Sequence, residues 1–167
     1  MMNSESPLKG KRILVVDDEP DVLETLQEIL DMCMVHQAGD FDAAIEFMST
    51  QSYDAVILDI QGVNGFELLR YAVSKDFPAL MLTAHAATPE SLKKSIEMGA
   101  AAFLPKEYIT ELKELLEEVV SGGGKRFWWM KSMDRTDVFF DKRFGSDWKE
   151  KDAFFKEFHE SLKKEKS

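Results

Sequence analysis

The sequence predicts an α/β domain built on a doubly wound, five-stranded parallel sheet of order 2-1-3-4-5. Three observations predict it. Short apolar runs alternate with helix-period segments through residue 120. The connections between them are short, as in β-α-β units. Four of the runs end in polar residues able to act together: Asp17-Asp18, Asp59, Thr83, and Lys106 after Pro105.

The elements follow in order. Arg12 to Val16 is the first strand, and Glu19-Pro20 opens the first helix, since proline suits a first helical turn. Val22, Leu23, Leu26, Ile29 and Leu30 recur at three- and four-residue steps and form its apolar face. Met34 to Ala38 is a weaker strand closed by Gly39. Asp40 caps a second helix carrying Phe41, Ala44, Ile45 and Met48. Tyr53 to Leu58 is the third strand. Asn64-Gly65-Phe66-Glu67 has capping-box spacing ahead of Leu68, Leu69 and Ala72. Pro78 to Leu82 is the fourth strand. Thr88-Pro89-Glu90 starts the fourth helix, and Gly99 ends it. Ala101 to Leu104 is the fifth strand and Thr110 to Val120 the fifth helix.

Strand order follows from strand character. Runs one, three and four are continuously apolar, as strands buried on both faces must be. Run two contains His36 and Gln37, and run five is short and alanine-rich, so both belong at edges. In this topology ligands bind beyond the carboxyl ends of the strands, where the winding reverses between strands one and three. Asp17, Asp18 and Asp59 fall there.

Composition narrows the function. The chain has 167 residues and a net charge of −10, concentrated in residues 1–124. An acidic body repels nucleic acid at long range, and the mildly basic remainder has interleaved signs, so direct DNA binding is not expected. No apolar run approaches the roughly 20 residues that cross a bilayer. The N-terminus lacks a basic flank followed by an apolar stretch, so a secretory signal is not expected. The single cysteine, Cys33, reads as a small buried filler, and a cytoplasmic setting is expected.

The polar strand ends suggest a chemistry. Magnesium prefers hard oxygen ligands and is usually held by one or two carboxylates with a phosphate. Asp17, Asp18 and Asp59 could supply them; alternatively, Asp17-Asp18-Glu19 is an acidic helix N-terminus favoured by the helix dipole. Asp59 is the candidate nucleophile, because a carboxylate can attack phosphorus to form an acyl phosphate. Lys106 and Thr83 would serve the phosphoryl oxygens.

These motifs, Ile13-Leu14-Val15-Val16-Asp17-Asp18-Glu19, Ala55-Val56-Ile57-Leu58-Asp59, Thr83-Ala84 and Phe103-Leu104-Pro105-Lys106, resemble the receiver domain of two-component response regulators over residues 10–121. The resemblance implies a flavodoxin-like, chemotaxis-regulator-like fold. It implies that Asp59 accepts a phosphoryl group from a sensor histidine kinase or phosphotransfer protein, and that the chain catalyses at most its own phosphorylation and dephosphorylation. Mg²⁺ would be bound by Asp18 and Asp59, by Asp17 through water, and by the Gln61 backbone carbonyl. Thr83 and Lys106 would contact the phosphoryl oxygens, with Thr83 and Phe103 forming the switch. Gln61 and His85 match positions that tune phosphoryl lifetime, and the fourth helix, fifth strand and fifth helix would carry the output. Phe103 read by itself is equally a core aromatic, and His85 a loop residue.

Two departures stand out. The run Asp59-Ile60-Gln61-Gly62-Val63-Asn64-Gly65 lacks the family's Met-Pro and reaches its glycine two residues early. Glu107 replaces a common proline after Lys106, which leaves Lys106 less firmly held and supplies a competing carboxylate. Two rival functions follow: a phosphate-independent pseudo-receiver that binds protein, and a phosphatase turning over external phosphoesters through Asp59. Gln61 speaks against the second, since such enzymes usually need an acid there.

Residues 1–9 read as a disordered N-terminus and 122–124 as a glycine linker. Residues 125–167 read as a helical extension holding 10 of the 18 aromatics. Trp148, Phe154, Phe155 and Phe158 recur at helical spacing behind a capping-box-like Asp147-x-x-Glu150. So many aromatics require burial. The extension either packs on the receiver or forms a docking or homodimer surface that phosphorylation exposes or hides. The downstream target is not legible.

Overall fold

The computed structural model describes residues 6–84 and 87–166. Five parallel strands form one sheet in the order β2-β1-β3-β4-β5: β1 Arg12–Val16, β2 Met34–Ala38, β3 Ala55–Asp59, β4 Ala79–Thr83 and β5 Ala102–Pro105. The helices are α1 Pro20–Ile29, α2 Phe41–Thr50, α3 Gly65–Ser74, α4 Pro89–Glu97 and α5 Leu112–Val120, followed by α6 Lys125–Phe144, α7 Trp148–Lys151 and α8 Ala153–Lys166.

The apolar runs are continuous because alternate residues fill different layers. Ile13, Val15, Ile57, Leu80, Leu82 and Leu104 pack with Leu26 of α1 and Leu112, Leu115 and Leu116 of α5. Leu14, Val16, Val56, Leu58, Met81 and Phe103 face α2, α3 and α4 through Ala44, Met48, Leu68, Leu69 and Leu92. Period-two alternation along each strand thus buries both sheet faces.

Register places the site. Val16 pairs with Leu58, Asp59 with Leu82, and Thr83 with Pro105. The strands therefore end nearly level, and Asp17, Asp59, Thr83 and Lys106 emerge along one edge.

Several local expectations need correction. Residues 6–9 are not disordered: they turn against α5, with Leu8 fully buried and Ser6 Oγ donating to Glu117 Oε2 at 2.7 Å. Asp40 caps α2, accepting from the Ala43 amide at 2.8 Å. Asn64 makes no such cap; it adopts left-handed backbone (φ 55°) and its side chain leaves the α3 amides alone. Asp147 likewise makes no side-chain cap, and the helix behind it breaks at Asp152 into α7 and α8. A capping box that the sequence reading overlooked joins Thr88 and Ser91 at the start of α4, with serine in the position usually held by Glu or Gln. A 3-10 turn, Lys106–Glu111, joins β5 to α5. Cys33 is half-buried rather than fully buried, and that burial with nearby Asp31 pushes its thiol up to about 11, away from reactivity.

The extension packs on the domain. Trp129, Met133 and Phe140 join the core layer that contains Phe103 and Leu92. The aromatics that composition said must be buried are buried or half-buried here: Trp148 meets the rings of Phe140, Phe144 and Phe155.

Candidate functional site

At the carboxyl edge of the sheet lies a cleft of about 330 Å³ lined by Asp18, Glu19, Asp59, Gln61, Gly62, Thr83, Ala84 and Lys106. Each wall comes from a different strand end. β1 runs into Asp17-Asp18-Glu19, β3 ends on Asp59, β4 ends on Thr83, and Lys106 follows β5. Asp17 sits behind the cleft, 1% exposed, and its Oδ1 accepts from the Glu19 amide at 2.9 Å. Asp59 and Thr83 are also buried, whereas Asp18, Glu19 and Gln61 are exposed.

Lys106 gathers the anions. Its Nζ lies 2.9 Å from Asp17 Oδ2, 2.8 Å from Glu19 Oε1 and 3.4 Å from Asp59 Oδ1. Contrary to expectation, Lys106 is firmly held, and its carboxylate partners do not include Glu107. Glu107 lies on a separate groove with Tyr108, Phe139 and Arg143. Burial works to lower the Lys106 pKa, but its bonds to Glu19 and Asp17 and the Asp59 charge outweigh that and raise it. Glu19 is the partner the sequence reading passed over. The signal available was its place directly after the two aspartates, read there only as a helix-start residue.

The negative charge remains undercompensated. Asp17, Asp18 and Glu19 carry oxygens within 4.8 Å of one another. Burial and the Asp17 charge push the Asp59 carboxyl up to about 7, with Lys106 offsetting only part of this. A buried carboxylate disfavoured by its neighbours is a frequent mark of a functional site. The donor set, hard carboxylate oxygens around an open cleft, fits a divalent cation such as Mg²⁺.

The loop after Asp59 is shaped by two glycines. Gly62 has φ 84°, and a Cβ on it would overlap the Asp18 carboxylate. A Cβ on Gly65 would overlap the Asp59 carbonyl oxygen. The shortened loop therefore folds tightly back on the acidic site, and the Gly65 amide donates to Ile60 O at 3.0 Å.

Of the residues singled out from sequence, Asp18, Asp59, Gln61, Thr83 and Lys106 line one cleft, with Asp17 beneath it. Phe103 does not line it. Phe103 lies fully buried in the core layer, its ring centroid 6.0 Å from that of Phe140 in α6. His85 lies outside the described residues.

Comparison with known proteins agrees with this arrangement. The family model for the response regulator receiver domain matches residues 13–119. The chain belongs to the response regulator receiver family. This receiver is 34% identical over 125 residues to the two-component response regulator ARR18 of Arabidopsis thaliana, covering 71% of this chain and 20% of ARR18. It is 34% identical over 119 residues to ARR10 of the same plant, covering 66% of this chain and 21% of ARR10. The match thus spans about a fifth of the length of these relatives. Among solved structures, the non-phosphorylated HemR receiver domain of Leptospira biflexa is 37% identical with a TM-score of 0.60, covering 68% of this chain and 97% of that one. TrrA from Thermotoga maritima, solved with Mg²⁺ and BeF, is 34% identical with a TM-score of 0.58, covering 65% and 98%. As a receiver of two-component systems, the chain is a phosphorelay component whose family chemistry is an aspartyl phosphate. Helices α6–α8 lie beyond the matched residues. Among the described residues, no helix is long and apolar enough to cross a membrane.

Proposed function

We propose that this receiver accepts a phosphoryl group on Asp59 from a phosphohistidine of a sensor histidine kinase or phosphotransfer protein, with Mg²⁺, and thereby switches a protein-interaction surface. The observation that carries this reading is the convergence of Asp59 and Lys106, 3.4 Å apart, in a cleft that Thr83 and Asp18 also line. A carboxylate oxygen of Asp59 attacks phosphorus. The new phosphorus–oxygen bond forms as the phosphorus–nitrogen bond breaks, and the departing imidazole keeps the electron pair.

The protein contributes position and charge. Lys106 supplies a fixed ammonium for one phosphoryl oxygen, and Thr83 a hydroxyl at the level of the neighbouring strand end. Asp18, Asp59, Asp17 through water, and the Gln61 carbonyl would hold Mg²⁺. Bound there, the ion neutralises phosphoryl charge and relieves repulsion among the carboxylates. Catalysis ends with the chain's own phosphorylation and dephosphorylation, and the setting is cytoplasmic. Gln61, exposed on the cleft wall, has no ionisable proton to give a leaving group, which disfavours a general phosphatase.

The test is incubation with acetyl phosphate and Mg²⁺ followed by intact-mass analysis. One added phosphoryl group, acid-stable and base-labile, is expected; it disappears in Asp59→Asn and falls sharply in Lys106→Ala. A wild-type chain that takes up nothing is instead a pseudo-receiver, acting through protein contact.

A further inference from the structure

The extension contains a cavity of its own. Met130, Met133, Asp134 and Asp137 recur at three- and four-residue steps and share one face of α6. Lys156, His159, Glu160 and Lys163 repeat that spacing on α8. The two faces, with Lys149 and Glu150 of α7 and Leu162 of α8, line a cavity of about 490 Å³. That volume falls in the usual range for small-molecule sites. The cavity lies beyond residues 13–119, the span that matches the receiver family, so receiver chemistry does not explain it. Its α6 wall is fixed: Trp129 Nε1 donates to the Ala100 carbonyl at 2.9 Å and Ser132 Oγ to the Phe103 carbonyl at 3.1 Å.

Two residues of the lining carry buried acceptors without partners. His159 Nδ1 lies 2.8 Å from the Phe155 carbonyl oxygen, which can only accept, so Nδ1 carries the proton. Burial favours the neutral ring, which then presents a bare lone pair at Nε2. Nε2 is buried and makes no hydrogen bond. Asp137 Oδ2 pairs with Lys149 Nζ at 3.0 Å, whereas Asp137 Oδ1 is buried with no partner. Buried acceptors left unpaired are costly, so a pair of them in one cavity marks where a donor belongs.

Charge and shape define that donor. Asp134, Asp137, Glu150 and Glu160 set four carboxylates around the cavity, against the ammonium groups of Lys149, Lys156 and Lys163. With His159 neutral, the lining is short of one positive charge. Met133 and Leu162 are buried and Met130 is half-buried, an apolar wall whose thioethers adapt to varied shapes. An ammonium brings three N–H donors and the missing charge. A metal ion fits less well: among the described residues, three metal-ligating atoms converge only at Asp17, Asp18 and Glu19.

We propose that α6–α8 form a binding site for a small primary amine. Its ammonium donates to His159 Nε2 and Asp137 Oδ1, and its apolar body lies against Met130, Met133 and Leu162. The extension is then a small-molecule sensor joined to the receiver, and this holds whether or not Asp59 accepts a phosphoryl group.

The test titrates the full chain at neutral pH with isoamylamine and with phenethylamine. Calorimetry gives affinity, and the His159 ring proton signal, assigned by its loss in His159→Phe, reports the place. At least one amine should bind with a dissociation constant of about 1 mM or tighter, move the His159 signal and slow hydrogen exchange of α8. Isoamyl alcohol, the same body without the charge, should bind at least about tenfold more weakly than its amine. In Asp137→Asn and in His159→Phe the amine affinity should fall about tenfold. Failure of both amines to bind overturns the proposal. So does an alcohol that binds as tightly as its amine, which would make the cavity merely apolar. Unchanged amine affinity in both variants overturns it as well, and Asp137→Asn alone decides if His159→Phe does not fold.

Discussion

Lys106 lies nearer to Glu19 than to Asp59, with its Nζ 2.8 Å from the Glu19 carboxylate and 3.4 Å from that of Asp59. On the phosphoacceptor reading proposed above, the ammonium that would serve a phosphoryl oxygen is thus occupied by an exposed neighbour before any phosphoryl group arrives. Glu19→Gln removes that competitor. The initial rate of phosphorylation by acetyl phosphate should rise about two- to fivefold. Thermal stability should change by less than about 1 kcal/mol, because a pair with one exposed partner contributes little.

Asp59 carries a pH signature. Its folded pKa is raised to about 7, chiefly by burial and then by Asp17, whereas an unfolded aspartate titrates at 3.8. The folded state therefore holds the proton more tightly. Stability from this group is full below the unfolded value and is lost as pH rises through the folded one. Asp59→Asn should be more stable than wild type, with an advantage that grows between about pH 4 and pH 7 and then levels off. Melting at pH 8 should show a gain of roughly 3 °C or more. Mg²⁺ should stabilise wild type and leave Asp59→Asn nearly unmoved.

Gly65 leaves no room for a methyl group. A Cβ there meets the Asp59 carbonyl oxygen and the Ile60 Cα, both backbone atoms that cannot swing aside. Gly65→Ala should lower stability by about 1–3 kcal/mol, as overpacking does. Because the displaced backbone belongs to Asp59, phosphorylation should fall more than tenfold. Intact mass and melting read on one preparation would separate the two effects.

His159 should make the extension acid-sensitive. Its Nδ1 is bonded to the Phe155 carbonyl at 2.8 Å, and its Nε2 is buried without a partner. Burial lowers its pKa below the usual 6.5. The neutral form is favoured in the fold, so stability is full above 6.5 and is lost as pH falls through the lower, folded value. Hydrogen exchange of α8 should accelerate as pH falls below the usual histidine value of about 6.5. His159→Phe, which keeps the ring packing beside Trp148, should flatten that dependence.

Much of the receiver was legible because its signals are local. Pro20, Pro89 and Gly99 mark helix ends by backbone chemistry alone. Asp40 was a true cap, whereas Asn64 matched the same spacing and failed. The shortened loop holds Asn64 in left-handed backbone, which aims its side chain away from the amides it would have capped. A spacing rule does not contain that constraint. Helix α6 was legible only as aromatic content. Its residues are buried on more than one side, by the sheet and by α7 and α8, so no single apolar stripe runs along it.

What the sequence by itself determined is the order of the sheet and the residues that meet at its edge. Strand burial is written as continuous apolar runs, and a parallel register carries each run's last residue to the same rim. What only the tertiary structure decided is which partners those residues take: Glu19 rather than Glu107 for Lys106, and Phe140 against Phe103. Pairings between side chains 37 to 87 positions apart depend on how packed elements close in space, and neither periodicity nor spacing encodes that closure.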